Sequence, residues 1–359
     1  MRATQVLFDL SALQHNLARV REAAPNTRVM AAIKANGYGH GLVRVAHALV
    51  DADAFCVACI DEAIALREAG ISHPIVLLEG FFERNELELI QRYRLEAMIH
   101  HLSQIEVLES VPLSAPVTVW LKVDTGMHRL GFPPEQVTTM WRRLAACPAV
   151  ERVRGCMTHL ANADDLNDTT TLRQLNRFEA AVAGLPGERA IANSAGVLGW
   201  PRSHGDWVRP GIMLYGVSPF IGGRAEAEGL RPVMTLRSEI IAVNHYPAGE
   251  AIGYGGSWIC PEAMPVGVVA IGYGDGYPRH ANHGTPVLVN GQRVPMIGRV
   301  SMDMITVDLR RQPQTRVGDP VVLWGEGLPV EEVAEHAGTI AYELLCGVTP
   351  RVESRAIDR

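Results

Sequence analysis

What this sequence lacks closes off several classes of function. No apolar run is long enough to span a bilayer. The opening MRATQVLFDLSALQHNL has neither the uninterrupted apolar segment nor the small-residue cleavage site of a secretory signal, so a cytoplasmic protein with no membrane partner is expected. There is no basic run of the kind that tracks phosphates along nucleic acid, and the formal charge is −6, which sets DNA and RNA aside as partners. Cysteine is sparse: of six, only Cys56 and Cys59 share a CxxC spacing. That pair lies inside AFCVACI, an apolar run that reads as a buried strand, and no second CxxC exists to complete a metal site. Repeats, low-complexity tracts and long linkers are also missing.

What is present is a soluble globular composition, 47% hydrophobic and 20% charged over 359 residues, enough for two domains. Short apolar runs alternate with helical stretches such as DEAIALREAG and TTLRQLNRFEAAVAGL. The strand candidates are RVMAAIK (28–34), AFCVACI (54–60), PIVLLE (74–79), EAMIH (96–100), VTVWLKVD (117–124), RVRGCMTHL (152–160), RAIAN (189–193) and WVRPGIMLYG (207–216). Eight such units predict an α/β fold with a closed (β/α)8 barrel over residues 1–230. A ninth run, VLFDL within residues 3–10, has no place in such a barrel and is expected to pair with the second domain. The helix after it is expected to start with Ser11 as N-cap. Over residues 231–359 short β-branched runs separated by Gly and Pro turns predict a mostly antiparallel β domain, with Asn290-Gly291 as a hairpin turn.

Barrel enzymes carry their reactive groups at the C-terminal ends of the strands. Those positions hold Lys34, Lys122, Asp124, His159, Asn193, Ser194 and Arg209. Lys34 closes an apolar run and precedes a glycine-rich loop, ANGYGHG; alone it reads as a snorkelling surface lysine. Arg209-Pro210-Gly211-Ile212 supplies backbone N–H groups suited to a phosphate. A lysine able to form a Schiff base, an arginine and a phosphate cradle are together the ingredients of a pyridoxal phosphate (PLP) site.

The segments AAIKANGYGHG, LKVDTGMHRLGF, MTHLANADD, ANSAG, DWVRPGIMLYG, IGYGGSW, GYGDGYPR, GRVSMDM and AYELL, in order from about residue 5 to about 350, resemble the motifs of the alanine racemases. The resemblance implies a PLP-binding barrel followed by a β domain, and a homodimer with shared active sites. It implies that Lys34 carries PLP and serves as base on one face of the substrate, and that Tyr254, reaching across the dimer interface, serves the other. By the same resemblance Arg209 hydrogen-bonds the pyridine nitrogen, and Tyr38, Ser194, Gly211, Ile212 and Tyr342 hold the phosphate. Asn193 and His159 join the cofactor-binding set, and Arg129, Met302 and Asp303 recognise substrate. Lys122 is the position often carbamylated, and Tyr273 lines the channel by which substrate enters. No metal is implied.

Blander readings stand beside these: Arg209 in a structural ion pair, an unmodified Lys122 paired with Asp124, and His159 as a satisfied core residue. Gly37 departs from the alanine common in the family. The expected reaction interconverts L- and D-alanine, for peptidoglycan or for catabolism. Serine or broad-specificity racemisation, a PLP-barrel decarboxylase and a non-catalytic PLP carrier are the alternatives.

Overall fold

The structure, a computed structural model, describes residues 3–112 and 114–358. Two compact units divide the chain: Gln14–Leu214 with Pro219–Ile221, and Met1–Leu13 with Tyr215–Ser218 and Gly222–Arg359.

The first unit is a closed barrel. After β1 (Gln5–Asp9), which belongs to the other unit, its strands are β2 (Arg28–Ala32), β3 (Ala54–Val57), β4 (Ile75–Leu77), β5 (Glu96–Ile99), β6 (Val117–Lys122), β7 (Val150–Met157), β8 (Glu188–Ala190) and β9 (Trp207–Val208). Each pairs in parallel with the next in sequence, and β2 with β9 closes the circle. Their near-continuous apolar character follows from burial on both faces: every residue of β3, β4 and β5 is buried. The apolar runs named above all become strands, but shorter ones. Lys34, Asp124 and His159 stand just beyond the last ladder residue, in the loops at the strand exits.

The second unit comprises β1, β10 (Met234–Tyr246), β11 (Ala251–Ile252), β12 (Trp258–Ile259), β13 (Met264–Val269), β14 (Pro286–Val289), β15 (Gln292–Ile297), β16 (Ile305–Asp308), β17 (Pro320–Trp324) and β18 (Glu353–Ile357). The long β10 pairs with β17 through its first half and with β13 through its second, so six antiparallel strands close on themselves. β1 pairs antiparallel with β10 and parallel with β18. Asn290 and Gly291, both at positive φ, form the two-residue turn between β14 and β15.

One local expectation is corrected. The helix Leu10–Ala23 begins before Ser11, and its cap is Asp9, whose carboxylate accepts from the Ala12 N–H at 3.2 Å and the Ser11 hydroxyl at 2.8 Å. An anionic oxygen is the stronger acceptor for the first-turn amides.

Candidate active site at the barrel mouth

At the exits of β2, β6 and β9 the barrel collects four cations: Lys34, Lys122, Arg129 and Arg209. They lie close enough together that their charges depress the same neighbours. Lys122 is lowered to about 7, by burial first and then by Arg209, Arg129 and Lys34, with a small opposing effect from Asp124. His159 is held well below its ordinary value by burial and by the same four cations, so its imidazole is neutral near pH 7. Arg209, buried at the end of β9, is lowered to about 10 by burial.

Neither ion pair of the blander readings is formed here. Among the described residues no carboxylate pairs with Arg209. Its Nη2 donates to the backbone carbonyls of Thr158 and Ile191, and its Nη1 is buried with no hydrogen-bond partner. A guanidinium N–H left unmatched inside a barrel costs about 1–3 kcal/mol unless something fills the place. Asp124 is committed elsewhere: one oxygen accepts the N–H groups of Gly126, Met127 and His128, at 3.0–3.1 Å, and the other faces the His128 ring. It fixes the loop that carries Arg129, and no hydrogen bond joins it to Lys122.

At the exits of β2, β8 and β9 lies a small polar cradle. Ser194 Oγ accepts the N–H of Gly211 at 2.9 Å and of Met213 at 3.3 Å. A Cβ added at Gly211 would stand 2.5 Å from the Tyr38 hydroxyl, so only glycine lets that hydroxyl, the Gly211 backbone and Ser194 converge. Ile212, fully buried, seats the cradle on the core. Asn193 serves indirectly: its Oδ1 caps the helix Ser194–Gly199 through the Gly196 N–H at 2.9 Å, which orients Ser194.

The remaining residues singled out from the sequence, Tyr254, Tyr273, Met302, Asp303 and Tyr342, belong to the β unit. All but Asp303 are exposed, Tyr254 most of all at 68%. There the turns at 273–276 and 301–303 are joined: the N–H groups of Tyr273 and Gly274 donate to the carbonyls of Ser301 and Met302, and Arg351 bridges buried Asp275 and Asp303.

Several residues of this architecture escaped the sequence reading. Buried Gln174 accepts from the Ala161 N–H and donates to Thr125 Oγ1 and the His159 carbonyl, tying the exits of β6 and β7. Nothing local announces such a role. A stronger signal was available by counting: the chain has 31 arginines and two lysines, Lys34 and Lys122, and both stand at this site. Where arginine serves everywhere else, a retained lysine points to chemistry that needs a deprotonable amine.

Residues 8–219 match the alanine racemase N-terminal domain family and residues 233–356 the alanine racemase C-terminal domain family. An alanine racemase of Nitrosococcus oceani is 58% identical over 353 residues, covering 98% of this chain and 99% of the relative. The biosynthetic alanine racemase of Pseudomonas aeruginosa has a solved structure similar at a TM-score of 0.97 with 46% identity, over 99% of this chain and 100% of that one. That of Bartonella henselae, solved with covalently bound pyridoxal phosphate, is similar at 0.91 with 28% identity, over 99% and 100%. With both domain families matched in order along nearly the whole chain, the protein belongs to the alanine racemase family.

Proposed function

We propose that this protein interconverts L- and D-alanine with PLP held at the barrel mouth, as a cytoplasmic homodimer whose two active sites are shared. The observation that carries the cofactor reading is the unmatched Nη1 of Arg209, a buried donor beside cations that lack carboxylate partners among the described residues. A cofactor with a phosphate and an acceptor ring nitrogen fits both needs. Arg209 would donate to the ring nitrogen, Lys34 would hold the aldehyde carbon, and Tyr38, Ser194 and the Gly211 and Ile212 amides would hold the phosphate, with Tyr342 as a further donor. PLP, when bound, supplies an electron sink that acidifies the α-proton of an attached amino acid.

The chain's own groups then move the proton. Lys34 Nζ takes it from one face of the α-carbon, and Tyr254 Oη of the partner subunit returns one to the other face, inverting the configuration; in the opposite direction the roles exchange. Arg209, a permanent donor near pH 7, would donate to the ring nitrogen and leave it unprotonated, which would moderate the electron sink the cofactor supplies. The high exposure of Tyr254, with Ile259, Met302 and Met304 also exposed on the β unit, supports a surface that a second subunit covers.

Arg129 would face the substrate carboxylate, with the partner subunit's Met302 and Asp303 completing recognition and Tyr273 lining the way in. Lys122, lowered to about 7, is substantially neutral at physiological pH and therefore nucleophilic toward carbon dioxide. Attack of the neutral amine on carbon dioxide would form an Nζ–C bond, convert one C=O to the carboxylate and release one proton, putting an anion that holds Arg129 in place of an amine. A native mass one carbon dioxide above the sequence checks this.

A chiral assay of the PLP-loaded protein tests the function. L-alanine should pass to a one-to-one mixture, with loss of activity in Lys34→Ala and strong reduction in Tyr254→Phe. Serine turnover at a comparable rate would widen the substrate class. Bound PLP without D-alanine or D-serine would refute the racemase reading. Either physiological direction, D-alanine for peptidoglycan or L-alanine for catabolism, uses this same reaction.

A further inference from the structure

The chain between Lys34 and Tyr38 turns the wrong way for L-residues. Ala35, Asn36, Gly37 and Tyr38 have φ of 53°, 54°, 61° and 51°, a left-handed turn in which only Gly37 is free of steric penalty. Such conformations persist only where the surroundings over-determine them. Part of the restraint is local: His40 Nδ1–H donates to the Tyr38 carbonyl at 2.8 Å and lies 3.1 Å from that of Gly37, and Asn36 Oδ1 accepts the Leu42 N–H at 2.9 Å. These bonds fasten the turn to itself but do not fix it against the barrel.

Glu62 reaches it from elsewhere. It sits in the first turn of the helix Ile60–Glu68 that follows β3, and its Oε2 accepts the Ala58 N–H at 3.0 Å, as a residue ending its own helix would. Its Oε1 accepts the Asn36 N–H at 3.2 Å, from 26 residues earlier. The helix has no use for that second bond. A single carboxylate thus joins the exits of two adjacent parallel strands, and the amide it holds lies inside the left-handed turn.

We propose that Glu62 is a positioning residue for Lys34 and Tyr38, acting by holding this turn. It rests on the reading above that Lys34 carries PLP. Because the turn separates the amine from the phosphate-facing hydroxyl, loosening it misplaces both groups relative to one cofactor.

The test compares full-length Glu62→Ala and Glu62→Gln with the wild type, with and without PLP. In Glu62→Ala, amide hydrogen exchange across Asn36–Gly41 should quicken about tenfold while peptides around Trp120 stay unchanged, and the PLP dissociation constant should rise about tenfold. In steady-state kinetics kcat should fall with KM for alanine within about twofold, since Glu62 touches no substrate. Glu62→Gln keeps one acceptor oxygen and should fall between; it also serves if the alanine variant does not fold. Unchanged exchange at Asn36–Gly41, or a uniform rise throughout the barrel, would overturn the proposal and leave Glu62 a helix cap only. A wild type that takes up no PLP would instead overturn the cofactor reading, while the exchange comparison on unloaded protein still decides whether Glu62 holds the turn.

Discussion

The two ends of one barrel treat buried charge in opposite ways. At the N-terminal ends of the strands, Arg154 pairs with Glu96 and, at 3.0 Å, with Glu188; Arg28 also pairs with Glu188 at 3.0 Å. Trp120 and Trp207 donate their indole N–H groups to Glu96 and Glu188 at 2.7 and 2.6 Å, while the Arg154 guanidinium lies over both rings. Burial alone would raise the Glu188 carboxyl, but the donors around it hold it below its ordinary range. At the C-terminal ends, four cations gather without an ion-pair partner among the described residues, and a guanidinium N–H goes unmatched. A closed network stabilises a fold and invites nothing in. Uncompensated positive charge costs stability, and that cost is recovered when an anionic ligand binds.

The largest effect expected from breaking this contrast is at the mouth. Lys34→Ala should lower racemisation by roughly a thousandfold or more, measured by chiral separation, with the fold intact by circular dichroism. At the other end the consequence should be stability without chemistry. Arg154→Met leaves buried Glu96 with the Trp120 N–H alone and removes one donor from half-buried Glu188, which keeps Arg28 and Trp207, at a cost of about 3 kcal/mol, and should lower the melting temperature by about 5–10 °C. Its PLP affinity should remain near that of the wild type.

Acid should weaken the mouth through His40, which burial holds near pKa 4. Because the unfolded imidazole titrates near 6.5, the unfolded chain binds the extra proton first. The contribution of neutral His40 is therefore whole above about pH 6.5 and is lost as pH falls toward 4, about 3 kcal/mol in all. Urea midpoints at pH 7, 5.5 and 4.5 should show the gap between wild type and His40→Asn narrowing with acid. The smallest effect belongs to Ser194→Ala, which removes one acceptor from the cradle. It should raise the PLP dissociation constant by about tenfold in a fluorescence titration.

These two ends were unequally legible in the sequence. Apolar runs bounded by turn residues revealed all eight strands, and the residues at or just past the strand ends, Lys34, Lys122, His159 and Arg209, are those the mouth brings together. The runs overshot the strands because Lys34 and His159 continue the pattern after their backbones have left the ladder. The paired end was not legible at all: Glu96 and Arg154 are 58 residues apart, and only barrel closure makes them neighbours. The left-handed turn at Ala35–Tyr38 is only half signalled: Asn36-Gly37 tolerates positive φ, but neither Ala35 nor Tyr38 favours it. Asp9 and Ser11 are both capping types, and composition alone does not choose between them.

We propose that the unpaired cations at the barrel mouth receive PLP on Lys34. With two lysines and one α-amine in the chain, reductive trapping can be read without ambiguity. The protein would be loaded with PLP, reduced with borohydride, digested and mapped by mass spectrometry. The result expected is a phosphopyridoxyl group on Lys34 in stoichiometric amount, with Lys122 and the N-terminus unlabelled. Labelling at Lys122 or at the N-terminus alone would contradict it.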